Sequence, residues 1–251
     1  MALALASRWL RDGADTLQPA AEAARSLGFK EVFASRPPRD AARAKGLLAS
    51  LGLAFGGVAA DPTAAPPALP GAIDRAAEPA ALLRRALVVA DLGDAVPAAN
   101  ETPERAVERW SRGLHAAFGA WSGLAIAIRP SGRKDGLFGL EQTGWLLDDL
   151  SSRPVGLFLD PVRAMDLERA GVGPGPLGWG DRFAARILGV AVHGRGPDGK
   201  GHARPEDDGP DWGTLLHLVP SKALRVLDVG PDLAAEEVTD ARRHLEEVLH
   251  W

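Results

Sequence analysis

The chain contains no cysteine, no tyrosine and only two methionines. Without cysteine there is no disulfide, thiolate zinc site, iron–sulfur cluster or cysteine nucleophile. Without tyrosine no phenol can serve as acid, base or nucleophile. A charge excess is also missing. Lys and Arg number 29 against 33 Asp and Glu, a net charge of −4, so the bulk charge carries no nucleic-acid footprint. No apolar run approaches the ~18 residues of a membrane helix. The N-terminal MALALASRWLRDG has no basic region before its short apolar stretch, so it reads as a first strand rather than a signal peptide. The cysteine-free composition fits a cytoplasmic protein. Absent too are a GxxxxGK[ST] phosphate loop, a GxSxG nucleophile elbow and an HExxH zinc helix.

What is present is an alternation. The 251 residues are 46% hydrophobic and 25% charged, enough to bury a large core. Short β-type runs recur at Ala2–Ser7, Glu31–Ala34, Leu53–Ala59, Ala86–Ala90, Leu124–Ile128, Val155–Leu159, Leu188–Val192 and Leu224–Val229. Amphipathic, Ala/Leu/Arg-rich stretches separate them. Thr102, Pro103 and Glu104 read as N-cap, N1 and N2 of a helix to Ala120. Shorter helices are expected at Asp181–Arg186 and Trp212–Leu218, and a last one at Ala234–Leu249. The apolar, unalternating run at Ala86–Ala90 suits a strand buried on both faces of a parallel sheet. Eight strand–helix units at this length predict a single-domain α/β chain, a (β/α)8 barrel over residues 1–251. A doubly wound sheet competes, but the first strand runs into Ser7-Arg8-Trp9-Leu10 and not into a glycine-rich phosphate loop.

A barrel carries its chemistry where strands end and the following loops begin. Those positions hold Asp91, with Asp94 close by, then Arg129, Asp160, Arg163, His193, Arg195 and Asp228. Trp179 follows a Gly/Pro-rich stretch on the same side, where it either stacks on a sugar ring or plugs the mouth. His202 falls in a polar loop and reads as solvent-exposed. The remaining histidines fall on helices and read as surface or packing residues.

The strand ends also resemble a known family. GLFLDPVRAM looks like the strand-six signature of the xylose isomerase-like barrels, which include the sugar phosphate isomerases and epimerases and share the endonuclease IV fold. LGVAVHGR is similar to their strand-seven segment, and GPDWGTLL to the loop and helix that follow. LGFKEVFAS, LAIAIRP and LRVLDVGP resemble strands two, five and eight. The resemblance spans essentially the whole chain. It implies a divalent metal held by two glutamates, an aspartate and a histidine. Carried over, those positions hold Arg129, Asp160, His193 and Asp228. Phe33 stands for the strand-two glutamate and Arg163 for the histidine after the strand-six aspartate. No equivalent of the family's later strand-seven aspartate stands at Gly194, Arg195 or Gly196.

A guanidinium is always charged and has no lone pair to give a metal. Arg129 is therefore expected to pair with Asp160 or Asp228 in the place of the ion. No metal and no other cofactor is expected, a bound divalent ion being the alternative. The resemblance then leaves two readings. One is an isomerase/epimerase-like enzyme acting on a small polar or anionic carbohydrate-like molecule. His193, Asp160 and Asp228 would be its catalytic groups, and Arg129, Arg163, Arg195 and Trp179 its ligand contacts. The other is a pseudoenzyme whose barrel senses a ligand or associates with protein. Neither nucleic acid nor membrane is an expected partner.

Overall fold

In the computed structural model of the chain, the described residues are 3–9, 17–61, 66–83, 87–93, 95–98, 100–121, 123–199 and 201–249. Ala2, Ala86 and Asp94 lie outside them. Eight parallel strands close into a barrel. They are β1 (Leu3–Ala6), β2 (Glu31–Ala34), β3 (Ala54–Ala59), β4 (Leu87–Asp91), β5 (Ala125–Arg129), β6 (Val155–Leu159), β7 (Ile187–Val192) and β8 (Leu224–Leu227). Each pairs with its sequence neighbours, and β1 closes the ring against β8. Around it stand α1 (Leu17–Ser26), α2 (Ala41–Leu51), α3 (Leu69–Leu82), α4 (Pro103–Ala120), α5 (Leu140–Asp149), α6 (Pro161–Arg169), α7 (Pro176–Phe183), α8 (Trp212–Leu218) and α9 (Ala235–Leu249). A two-stranded antiparallel hairpin, Gly194–Arg195 with Gly201–Ala203, follows β7. Among the described residues no helix is long and apolar enough to cross a membrane.

The period of two along each strand sorts the core into two layers. Ala4, Ala6, Phe33, Leu87, Val89, Ala127, Phe158, Ala191, Leu224 and Val226 fill the barrel. Their neighbours, such as Val32, Val88, Ile126, Leu157, Val190 and Leu227, pack outward in one cluster with the helices. Phe33 and Phe158 stack across the interior, with ring centroids 5.9 Å apart. Gly189 makes room for them, since a Cβ there would stand 2.6 Å from the Phe158 ring.

Among the described residues, four helices start where a polar side chain accepts from the backbone N–H three residues on. Asp40 takes Arg43 N at 2.8 Å, Thr102 takes Arg105 N at 3.4 Å, Asp160 takes Arg163 N at 3.1 Å and Asp211 takes Thr214 N at 3.1 Å. Such caps contribute ~1 kcal/mol each. One helix begins earlier than its sequence suggests. The expected Asp181–Arg186 helix starts at Pro176, because Gly175 supplies an extended N-cap and Pro176 a preset N1; residues 184–186 form a 3₁₀ turn.

Candidate functional site

The inward-facing ladders are apolar until their last member. Leu87 and Val89 lead to Asp91, Ala127 to Arg129, Phe158 to Asp160, Ala191 to His193, and Leu224 and Val226 to Asp228. The alternation that packs the barrel therefore delivers five polar side chains to its C-terminal mouth. Arg129, Asp160, His193 and Asp228 are 6%, 5%, 2% and 4% exposed.

Arg129 lies at the centre. Its Nη2 donates to Asp160 Oδ2 at 2.6 Å and to Asp228 Oδ2 at 3.3 Å, and its Nε donates to Asp160 Oδ2 at 3.0 Å. The guanidinium carbon stands 5.9 Å from the Phe158 ring centroid, so the Phe33–Phe158 pair forms an apolar floor beneath the cation. Arg163 makes the second pair. It grips Asp91 through Nη1 and Nη2, both at 2.8 Å, and reaches Asp160 Oδ2 at 3.3 Å. Asp160 thus caps α6 and joins both arginines. A third arginine comes from the turn after β1, where Arg8 Nε lies 3.2 Å from Asp228 Oδ1.

Burial works to raise each carboxyl, but the charges and hydrogen bonds around it outweigh the burial. Arg129, His193 and Arg163 hold Asp160 well below its ordinary range. His202, Arg8 and Arg129 do the same for Asp228, and Arg163 and Arg129 for Asp91. For Arg129, burial disfavours the charge, yet Asp160, Asp228 and Asp91 hold it above the usual guanidinium value. Among the described residues, three arginines therefore face three carboxylates, and their formal charges cancel.

His202 corrects the sequence reading. It is not solvent-exposed; its side chain is 26% exposed and its ring stacks on His193 at 4.6 Å and 28°. Burial against the neighbouring cations pushes it down to about 4, so it is neutral above that pH. His193 Nδ1 faces both the His202 backbone N–H at 3.0 Å and the Gly194 carbonyl at 3.1 Å, and its Nε2 lies 3.3 Å from Asp160 Oδ1. His202 Nδ1 lies 2.7 Å from the Asp228 carbonyl and donates to it, so Nε2 accepts from Arg8 Nη1 at 3.0 Å.

Arg8 and His202 were invisible in the sequence as site residues. Of the other sequence candidates, Arg195 stands apart from the cluster and Trp179 packs at its edge. Arg195 pairs with Asp166 and Asp208 and donates to the Gly199 carbonyl at 2.8 Å; it lines a cleft of about 580 Å³ with Arg204 and Asp207. Trp179 is buried, with its ring 5.8 Å from that of Phe183. With Pro130, Ser131, Asp160 and Arg163 it lines a cavity of about 10 Å³, room for a single water.

The divalent ion implied by the resemblance does not fit these residues. Arg129 occupies the strand-five ligand position and already bonds the two carboxylates an ion would need. A dication 4 Å from that guanidinium would meet roughly 8 kcal/mol of repulsion at an effective dielectric of 20. His193, His202 and Asp228 offer a second set, with ligand atoms within 4.8 Å of one another. There the acceptor nitrogen of each ring is already taken, by the His202 N–H and by Arg8, and Arg8 and Arg129 flank the carboxylate.

No protein-family model matches the sequence, and no functionally curated protein matches it either. Solved structures do match its fold. A D-tagatose 3-epimerase-like protein superposes with a TM-score of 0.79 at 14% identity, over 100% of this chain and 97% of that one. A xylose isomerase domain containing protein from Salmonella typhimurium LT2 gives 0.72 at 14% identity, over 99% and 97%. An AP endonuclease, family 2, from Brucella melitensis gives 0.68 at 16% identity, over 94% and 95%. The chain has the xylose isomerase-like TIM barrel fold.

Proposed function

We propose that this protein is a sugar isomerase/epimerase-like barrel of the cytoplasm that binds a small, polar, carbohydrate-like molecule at its mouth without a divalent metal. It does not perform two-glutamate epimerisation. The observation that carries this reading is the buried Arg129, 2.6 Å from Asp160 at the strand-five position. Epimerisation next to a carbonyl needs a base to remove a proton and an acid to return it. A guanidinium serves as neither near neutral pH. The likeness to a D-tagatose 3-epimerase-like protein supports a carbohydrate-like ligand, and the cancelled charges favour a ligand with hydroxyls over a phosphate.

A second reading retains acid–base chemistry and rests on a different contact. His193 Nε2 faces Asp160 Oδ1 at 3.3 Å, the disposition of an imidazole oriented by a carboxylate. In that reading Asp160 orients the ring, and His193 carries the proton on Nδ1 once the His202 N–H has left it.

One experiment separates these. Protein purified without chelator is analysed for metals, then incubated with neutral ketoses, with and without added Mn²⁺. The proposal expects no stoichiometric metal, no epimer and saturable ketose binding by calorimetry. Turnover without metal that His193→Ala abolishes selects the second reading. Stoichiometric metal with turnover overturns both.

A further inference from the structure

His202 belongs to no barrel strand, yet three barrel elements hold its ring. The end of β7 offers the flat face of His193, 4.6 Å away. The end of β8 offers an acceptor, the Asp228 carbonyl at 2.7 Å. The turn after β1 offers a donor, Arg8 Nη1 at 3.0 Å. One flat face, one donor and one acceptor converging from three walls of a barrel mouth are the contacts made to a ligand. The residue that fills them is held in a backbone conformation that side chains rarely adopt, with φ +71°. Its carbonyl is tied down by Gly230 N at 2.6 Å, which keeps the hairpin pressed on the mouth.

We infer that the His202 ring occupies the ligand seat of the barrel, and that the hairpin carrying it is a self-inserted lid that a ligand displaces. The class of ligand rests on the carbohydrate-like reading above. A neutral sugar ring fits all three contacts: its C–H face covers His193, and one hydroxyl accepts from Arg8 while donating to the Asp228 carbonyl. An acid or phosphate fits less well, because Arg8 is already matched by Asp228 at 3.2 Å. The backbone geometry aids release, since leaving the left-handed region relieves the histidine of an unfavourable conformation.

The test excises the ring. His202→Gly removes the side chain and suits a positive φ. Imidazole, the excised group itself, is titrated into wild type and variant by calorimetry, followed by the neutral ketoses D-tagatose and D-fructose. The expected result is imidazole binding to the variant alone, and ketose binding at least tenfold tighter in the variant. Imidazole binding with no ketose binding to either protein leaves the seat standing and overturns the carbohydrate reading. Equal ketose affinity in both proteins overturns the seat and leaves the carbohydrate reading intact. A folded variant that takes no imidazole also overturns the seat. If His202→Gly unfolds, His202→Asn tolerates the same φ and withdraws the ring. It too binds a ketose more tightly than wild type, and equality there overturns the inference.

Discussion

Arg129 is the ladder partner of Asp91 across β4 and β5, but it spends its hydrogen bonds on Asp160 and Asp228. Its Nε stays 4.0 Å from Asp91, which Arg163 clamps at 2.8 Å through both terminal nitrogens. The two arginines thereby divide three carboxylates between them, with Asp160 shared. A buried pair of this kind stabilises little relative to a well-packed apolar alternative, but half of it is costly.

Arg129→Ala should therefore lower stability by ~3–5 kcal/mol, since it takes the central cation from two buried carboxylates and leaves Asp160 to Arg163 and Asp228 to Arg8. For a chain of this size that is a fall in Tm of roughly 6–20 °C. The double variant Arg129→Leu with Asp160→Asn should lose less than the two single losses combined. Thermal denaturation of wild type, Arg129→Leu, Asp160→Asn and the double variant measures the coupling. Additive losses would show that the pair does not act as a unit.

The apolar floor has its own prediction. Phe158 stacks on Phe33, carries the Arg129 guanidinium on its face and fits against Gly189. Phe158→Ala should cost ~3–5 kcal/mol through the cavity it leaves. Gly189→Ala should also destabilise, because the new Cβ would meet the ring at 2.6 Å. Combining them should recover part of the loss, as the methyl group enters the vacated space. If the double variant is no better than the sum of the singles, the close approach is not the reason for the glycine.

Acid should destabilise the protein, in two stages. His202 is held down to about 4 in the folded chain against an ordinary value of 6.5. Between these values the unfolded chain binds the proton and the folded chain does not, so stability falls as pH falls from 6.5 to 4. The 2.5-unit difference corresponds to on the order of 3 kcal/mol. Asp160, Asp228 and Asp91 are held below their ordinary values, so their contribution is intact at neutral pH and is lost only at lower pH. His202→Asn should flatten the upper stage and keep the part of the lower one that Asp160 and Asp91 supply. Tm measured from pH 7 to pH 3 on both proteins decides it; an unchanged slope between 6.5 and 4 in the variant would remove His202 as its source.

These residues differ in how far the sequence discloses them. Arg129, Asp160, His193 and Asp228 were legible because strand alternation is local: each follows an apolar run whose phase fixes the side it faces. The strand boundaries were legible for the same reason, and the structure places Glu31–Ala34 and Val155–Leu159 at the expected residues. The partners across the mouth were not legible. Arg8 reaches His202 over 194 residues, and Arg163 reaches Asp91 over 72, distances at which no local pattern operates. His202 is polar and lies in a glycine-rich stretch, both of which read as exposed loop. Only the folding of the hairpin back over β7 and β8 buries it. The early start of α7 did have a local signal, the Gly175-Pro176 pair, which the larger Gly/Pro-rich stretch obscured.

The last prediction restores what Arg129 displaced. Arg129→Glu replaces the central cation by a carboxylate facing Asp160, Asp228 and Asp91, with the His193 imidazole beside them. Without an ion, the clustered negative charge should lower Tm below that of wild type. With one, the same cluster becomes a set of oxygen and nitrogen donors of the kind hard divalent cations prefer. Mn²⁺ at a hundred times its Kd should then return ~2.7 kcal/mol of stability to the variant and none to wild type. Arg129→Gln is the control. It removes the guanidinium without adding an anion, so it should bind far less metal and respond little to Mn²⁺. Calorimetric titration of the three proteins reads the affinities, and Tm with and without chelator reads the linkage. If Arg129→Glu folds yet binds Mn²⁺ no better than Arg129→Gln, charge at strand five is not what keeps a metal from this mouth. The His202 ring stacked on His193 would then be the obstacle, and adding His202→Gly to Arg129→Glu should admit the ion.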